Sequence, residues 1–151
     1  PQANSMARLI NLIELLHAKP MTKDEITSRY GFDSRQTNYY TDAGRYLELM
    51  EKDRDSERNI IFRLSPLGRR IMKMPYRERQ LALAAQVLRH RAFKDTLKLR
   101  LQCGGMPDAA AIVRIMKDAD LYHVDADSTY YRRSSTITGW VNWMLGLIGE
   151  R

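Results

Sequence analysis

Cysteine is almost missing from this chain: Cys103 is the only one in 151 residues. No intramolecular disulfide can therefore staple the fold, and a reducing compartment is expected. Long apolar runs are missing as well, and nothing approaches the roughly 18–20 hydrophobic residues of a membrane-spanning helix. Residues 1–5 lack the apolar centre of a signal peptide, and read as a leader or tag remnant before a native start at Met6. No low-complexity linker separates the two halves. The third scarcity is of acids in the middle of the chain. Between residues 62 and 100 only Glu78 and Asp95 face eleven Lys and Arg. That stretch carries +9 against +7 for the whole chain, so the remainder is −2. What is present is ordinary for a globular protein, 44% hydrophobic and 28% charged, which excludes wholesale disorder. The expected protein is soluble, cytoplasmic and basic, with a polyanion as the first partner to consider. The blander alternative for each cation is a solvated helix face, but eleven against two calls for a reason to cluster.

The pattern of apolar residues predicts mainly helices. Leu9, Ile10, Leu12, Ile13, Leu15 and Leu16 form a helical stripe over residues 7–18, with Ser5 as N-cap and Lys19-Pro20 as the stop. Thr22 with Glu25 is a capping box that opens a short helix to about residue 30, closed by Gly31. Asp33 or Ser34 caps a third helix to about residue 49. Residues 51–59 are polar and turn-rich, and 60–64 are β-prone, together a short hairpin. Ser65-Pro66 then starts a helix that ends near Met74-Pro75. Helices over about 76–90 and 93–103, a break at Gly104-Gly105, a helix from Pro107-Asp108 to about 119, a polar link at 120–127 and a last helix over about 128–148 complete the chain.

Three helices followed by a hairpin is the order of a winged helix, with the hairpin as the wing. The third helix should then have two faces. Tyr40, Ala43, Leu47 and Met50, flanked by Tyr39 and Tyr46, form a stripe for the core. Ser34 or Arg35, Asn38, Thr41 or Asp42, and Arg45 take the other face, with side chains suited to base edges and phosphates. Arg54, Arg58 and Lys52 on the wing are placed to touch a nucleic-acid backbone. Asp53, Asp55 and Glu57 in the same loop argue against it.

The last helix repeats the third at a shift of 97 residues. Arg35-Gln36-x-x-Tyr39-Tyr40-x-x-Ala43-x-x-Tyr46-Leu47 lies over Arg132-Arg133-x-x-Thr136-Ile137-x-x-Trp140-x-x-Trp143-Met144. Polar positions coincide too: Ser34 with Tyr131, Asn38 with Ser135, Thr41 with Thr138. Helical periodicity alone produces part of this agreement. Trp140 and Trp143 fall on the apolar stripe and are read as core anchors rather than base-stacking platforms. The expected fold is mainly α with a small β-hairpin, built of two tandem helix-turn-helix units. A winged helix-turn-helix occupies residues 6–74, and a second helical unit without a wing occupies 75–151.

With the motifs Asp33-x-Arg35-Gln36-x-x-Tyr39-Tyr40, Phe62-x-Leu64-Ser65-x-x-Gly68 and Ser128-Thr129-x-x-Arg132-Arg133-x-x-Thr136-x-x-x-Trp140-x-x-Trp143, the chain resembles the tandem winged-helix DNA-binding module of type II restriction endonucleases and related restriction–modification proteins. The resemblance covers residues 8–148. It implies sequence-specific binding of double-stranded DNA, with any nuclease domain or subunit elsewhere, and puts DNA-facing positions on Arg35, Asn38, Thr41, Arg132 and Ser135. Together with the helix faces, the expected contacts are Ser34, Arg35, Gln36, Asn38, Thr41, Arg45, Arg54, Arg58, Tyr131, Arg132, Arg133, Ser135 and Thr138. A homodimer is a further partner this reading allows. A transcription or replication regulator and a protein-interaction module remain as rivals.

Catalytic patterns are weak. Pro107-Asp108 is not followed by the Asp/Glu-x-Lys that would help hold a nuclease Mg²⁺. His17, His90, His123 and Cys103 show no metal-ligand pairing, so neither a metal nor another cofactor is expected. His17-x-Lys19-x4-Asp24 matches a phospholipase-D-type motif only formally, because it straddles a helix end and a proline. No catalytic residue is assigned.

Overall fold

A computed structural model describes residues 3–119 and 127–149. Helix α1 (Met6–Ala18) buries Leu9, Ile10, Leu12, Ile13 and Leu16, and the Ser5 hydroxyl accepts a hydrogen bond from the Arg8 amide at 3.2 Å. Lys19 is extended because Pro20 follows it. The chain then forms a short strand β1 (Met21–Thr22), and Thr22 caps α2 (Lys23–Tyr30). The capping box is reciprocal. The Glu25 amide donates to Thr22 Oγ1 at 3.2 Å, and the Thr22 amide to Glu25 Oε1 at 3.3 Å. Gly31 takes a positive φ of 62° and turns the chain toward α3 (Ser34–Tyr46). A second reciprocal box, Asp33 with Gln36, opens that helix.

Helix α3 stops three residues earlier than its pattern predicts. Glu48 adopts the left-handed region at φ 63°, and Met50 is already paired in β2 (Met50–Arg54). β2 runs antiparallel to β3 (Ile60–Leu64) with Met50 opposite Leu64 and Arg54 opposite Ile60. The expected hairpin is therefore present, and β1 adds to its far side with Met21 opposite Phe62. Helix α4 (Pro66–Met72) begins at Ser65, whose hydroxyl donates to the Glu48 carbonyl at 2.7 Å and accepts from the Gly68 amide at 2.9 Å. One side chain thus ties the helix start to the preceding loop. Gly68 is required there, since a Cβ would meet the Leu49 carbonyl oxygen.

The second half comprises α5 (Tyr76–Leu88), α6 (Arg91–Cys103), α7 (Ala109–Asp118) and α8 (Asp127–Leu147). Gly104 closes α6 at φ 72°, and the Asp108 carboxylate caps α7 at 2.8 Å. Residues 120–126, most of the expected polar link, lie outside the described residues. The buried side chains of both halves belong to one hydrophobic cluster. At its centre the fully buried Trp140 stacks on Phe93, ring centroids 4.9 Å apart, and donates its indole N–H to the Ala3 carbonyl at 2.7 Å. Ala3 is itself fully buried, and Gly139 lets the Asn4 backbone approach α8 so closely that a Cβ would meet the Asn4 carbonyl. Ala3 and Asn4 are thereby part of the packed structure. The protein is mainly helical, with eight helices among the described residues and a small three-stranded antiparallel sheet.

Candidate nucleic-acid interface

Burial sorts α3 into the two faces its sequence predicts. Thr37, Tyr40, Ala43 and Gly44 are buried, while Ser34, Arg35, Asn38, Asp42 and Arg45 are exposed and follow one another along a single outward stripe. Arg45 lies 3.7 Å from Asp42, a surface pair that leaves both side chains largely in solvent. Two expected contacts are placed otherwise. Thr41 is 1% exposed, and its hydroxyl donates back to the Thr37 carbonyl at 2.8 Å, so it is withdrawn from any partner. Gln36 is half-buried, and its amide oxygen is held by the capping box.

The hairpin loop sits beside the start of α2. Arg54, Arg58, Asn59 and Ile60 share with Thr22, Lys23 and Asp24 an open depression of about 500 Å³. Three cations therefore meet where α2 presents the positive end of its backbone dipole. Lys23 escapes sequence reasoning because it lies about thirty residues from the hairpin; only its place in the first turn after a capping box signals it. The loop acids are largely absorbed into the hairpin. Asp53 accepts from the Arg54 amide and pairs with Arg63; the amide hydrogen bond first, and then the Arg63 charge, hold its carboxyl below the usual carboxylate range. Asp55 accepts from the Glu57 and Asn59 amides at 2.9 and 2.8 Å and closes the turn in which Arg58 takes a φ of 66°. Arg54 donates to the Arg58 carbonyl at 2.9 Å, so part of its guanidinium shapes the loop.

Helix α8 is amphipathic in a different proportion, with more of its surface packed. Tyr131, Ser135 and Asn142 are exposed and Thr138 is half-buried beside them, whereas Ser134, Ile137, Val141 and Leu145 are buried. Trp140 is buried and Trp143 half-buried, as core anchors should be. Arg133 is a correction: it lies half-buried on the packed side with its Nε buried and without a partner. The side chain of Arg132 lies outside the described residues.

The basic block at 62–100 is less available than its count suggests. Arg63 pairs with Glu51 and Asp53, and Arg89 with Glu48 at 3.1 Å. Arg91 pairs with Asp95 and donates to the Asp118 carbonyl, while Arg100 is buried. Arg70, Lys73, Arg77, Lys94 and Lys98 stay exposed, with no ion pair among the described residues.

At the junction of the halves His90 stacks on Tyr46 at 3.8 Å and its Nε2 donates to the Tyr46 carbonyl at 3.1 Å. Burial holds the His90 imidazole below its ordinary pKa and pushes the Tyr46 phenol up to about 12. Both groups are therefore neutral structural contacts at neutral pH. Among the described residues no group of three or more His, Cys, Asp and Glu comes together, and no helix is long and apolar enough to cross a membrane. His17, Lys19 and Asp24 are exposed surface residues rather than parts of a buried phosphate pocket.

These features define a mainly helical protein with a small antiparallel sheet, an exposed polar face on α3, and Lys23, Arg54 and Arg58 gathered at one depression. Residues 8–149 match the family described as Domain of unknown function (DUF7226), and the chain belongs to that family. No curated protein and no solved structure matches it.

Proposed function

We propose that the chain binds double-stranded DNA sequence-specifically, with residues 6–74 as a winged helix-turn-helix and 75–151 as a second helix-turn-helix unit without a wing. The order α1, β1, α2, α3, β2, β3 supports the first part of this reading, since it puts a short helix, a tight glycine turn and a polar-faced helix directly before a hairpin. One observation carries the function: Ser34, Arg35, Asn38 and Arg45 stand exposed along a single outward stripe of α3, and the cations Lys23, Arg54 and Arg58, which line one depression, add to it. In the proposed complex α3 enters a major groove. Arg35 and Asn38 meet base edges, and the loop cations meet the flanking phosphates. Tyr131, Ser135 and Thr138, with Arg132, form the second reading face on α8. Lys94 and Lys98 supply sequence-independent grip between them. The resemblance of the motifs to restriction-endonuclease modules makes target recognition for a nuclease centre on another segment or subunit the finer form of the proposal.

Fluorescence anisotropy on a labelled random-sequence duplex, over a series of salt concentrations, tests it. Binding should weaken along a log–log line whose slope reports several released counterions. No binding at low salt, or binding insensitive to salt, overturns the proposal and favours a protein-interaction module.

A further inference from the structure

Away from that interface, α5 and the C-terminal end of α8 enclose a groove of about 570 Å³, lined by Tyr76, Arg77, Gln80, Leu81, Leu147 and Ile148. Its walls are apolar and open to solvent. Tyr76 is 68% exposed, Leu81 52% and Ile148 63%, which gathers three of the six exposed large hydrophobics of the described residues in one place. At its floor lies an unsatisfied amide. Gln80 is 7% exposed, its Oε1 is buried without a partner, and its Nε2 reaches only the Tyr76 hydroxyl, at 3.4 Å. Turning the amide over pairs the oxygen with that hydroxyl but leaves the nitrogen without one, so either orientation has one open end. A buried polar group in that state is costly unless a ligand completes it. Arg79 stacks on Tyr76, 5.6 Å from its ring centroid, with its own Nε buried and unpartnered. Arg77 stands on the rim with no ion pair among the described residues.

We propose that this groove docks a short acidic, amphipathic segment of a partner protein. Apolar side chains of the segment cover Leu81, Leu147 and Ile148, its backbone completes the Gln80 amide as that side chain turns its buried end toward the groove, and an Asp or Glu meets Arg77. The exposed Arg77 favours an acidic occupant, and a symmetric second copy would present the same concave apolar groove and the same cation. A nucleic-acid backbone would suit Arg77 but would leave the exposed leucine and isoleucine uncovered. The proposal is independent of DNA binding and concerns a surface that the outward stripe of α3 does not share.

Selection of displayed random peptides of about twelve residues on the full chain, with the Leu81→Asp chain as counter-target, tests it. The enriched sequences should carry two apolar residues within one helical turn, flanked by Asp or Glu. A synthetic peptide of that consensus should bind Leu81→Asp roughly ten-fold more weakly and Arg77→Glu several-fold more weakly. Leu81 is exposed, so its replacement leaves the thermal melt near that of the parent. Gln80→Leu separates binding from folding: removing the open amide leaves Tm equal or higher, while peptide affinity falls. Equal enrichment on Leu81→Asp, a basic consensus, or a dimer of the parent chain that Leu81→Asp dissolves each overturns the proposal. So does loss of random-duplex binding in the folded Leu81→Asp chain.

Discussion

Replacing Trp140 with phenylalanine removes the indole N–H that bonds the Ala3 carbonyl at 2.7 Å, and contracts a fully buried ring that stacks on Phe93. Losing a buried hydrogen bond costs about 1 kcal/mol. The missing ring atoms cost about 1–2 kcal/mol more in transfer and cavity terms, which keeps the change below the roughly 3–5 kcal/mol of a full truncation to alanine. A loss of about 2–3 kcal/mol is a large fraction of the roughly 5–15 kcal/mol expected of a whole domain. In a protein of this size it lowers Tm by roughly 4–12 °C. Helical circular dichroism through a urea titration reads the loss without relying on tryptophan emission. Random-duplex affinity, measured well below the new Tm, should be unchanged, because Trp140 faces the core and not the exposed strip of α8. A normal melt combined with weakened DNA binding would refute both the packing argument and the assignment of Trp140 as an anchor.

Other consequences are smaller in scope. Gly68→Ala should destabilise by about 1–3 kcal/mol, because the added methyl meets the Leu49 carbonyl oxygen and the start of α4 must shift; chemical denaturation checks this. His90 has a folded pKa below its unfolded value of about 6.5, so its contribution is complete above that pH and is lost as pH falls through the folded pKa. Denaturation midpoints between pH 7.5 and 5 should decline, and His90→Gln should flatten that decline. Tyr46 has the opposite sign: its phenol, raised to about 12, contributes in full below pH 10 and loses that contribution as pH rises toward 12. Lys94→Ala with Lys98→Ala should weaken binding to all duplexes alike and reduce the salt slope by roughly 1–2, whereas Arg91→Ala, already paired to Asp95, should change it less.

The helices were legible because their signals are local. Thr22 with Glu25, Gly31, Ser65-Pro66, Gly104 and Asp108 act within one turn of where they sit, and each does in the fold what its chemistry predicts. Strand β1 was not legible, since two residues have no periodicity and their partners lie forty positions away. The end of α3 was misplaced because the apolar stripe continues through Met50, while the turn at Glu48 hands that residue to the sheet. Thr41 lies at the margin of the polar face, where its hydroxyl can satisfy itself on the Thr37 carbonyl, so polarity alone did not imply exposure. The packing of Ala3 against Trp140 is a contact across most of the chain, which no local pattern anticipates. Nor does a charge count reveal pairing: Arg63, Arg89 and Arg91 find acids, some of them contributed by the less basic part of the sequence.

The central claim is that the outward stripe of α3 reads base sequence. Selection from a randomised duplex pool, carried out in parallel with the parent chain, Arg35→Ala and Asn38→Ala, measures this directly. The account predicts a defined consensus for the parent. It predicts one or two positions relaxed in each variant, with about 1–3 kcal/mol of discrimination lost there and a preserved thermal melt. An identical consensus from all three proteins, or no consensus from the parent, would contradict it.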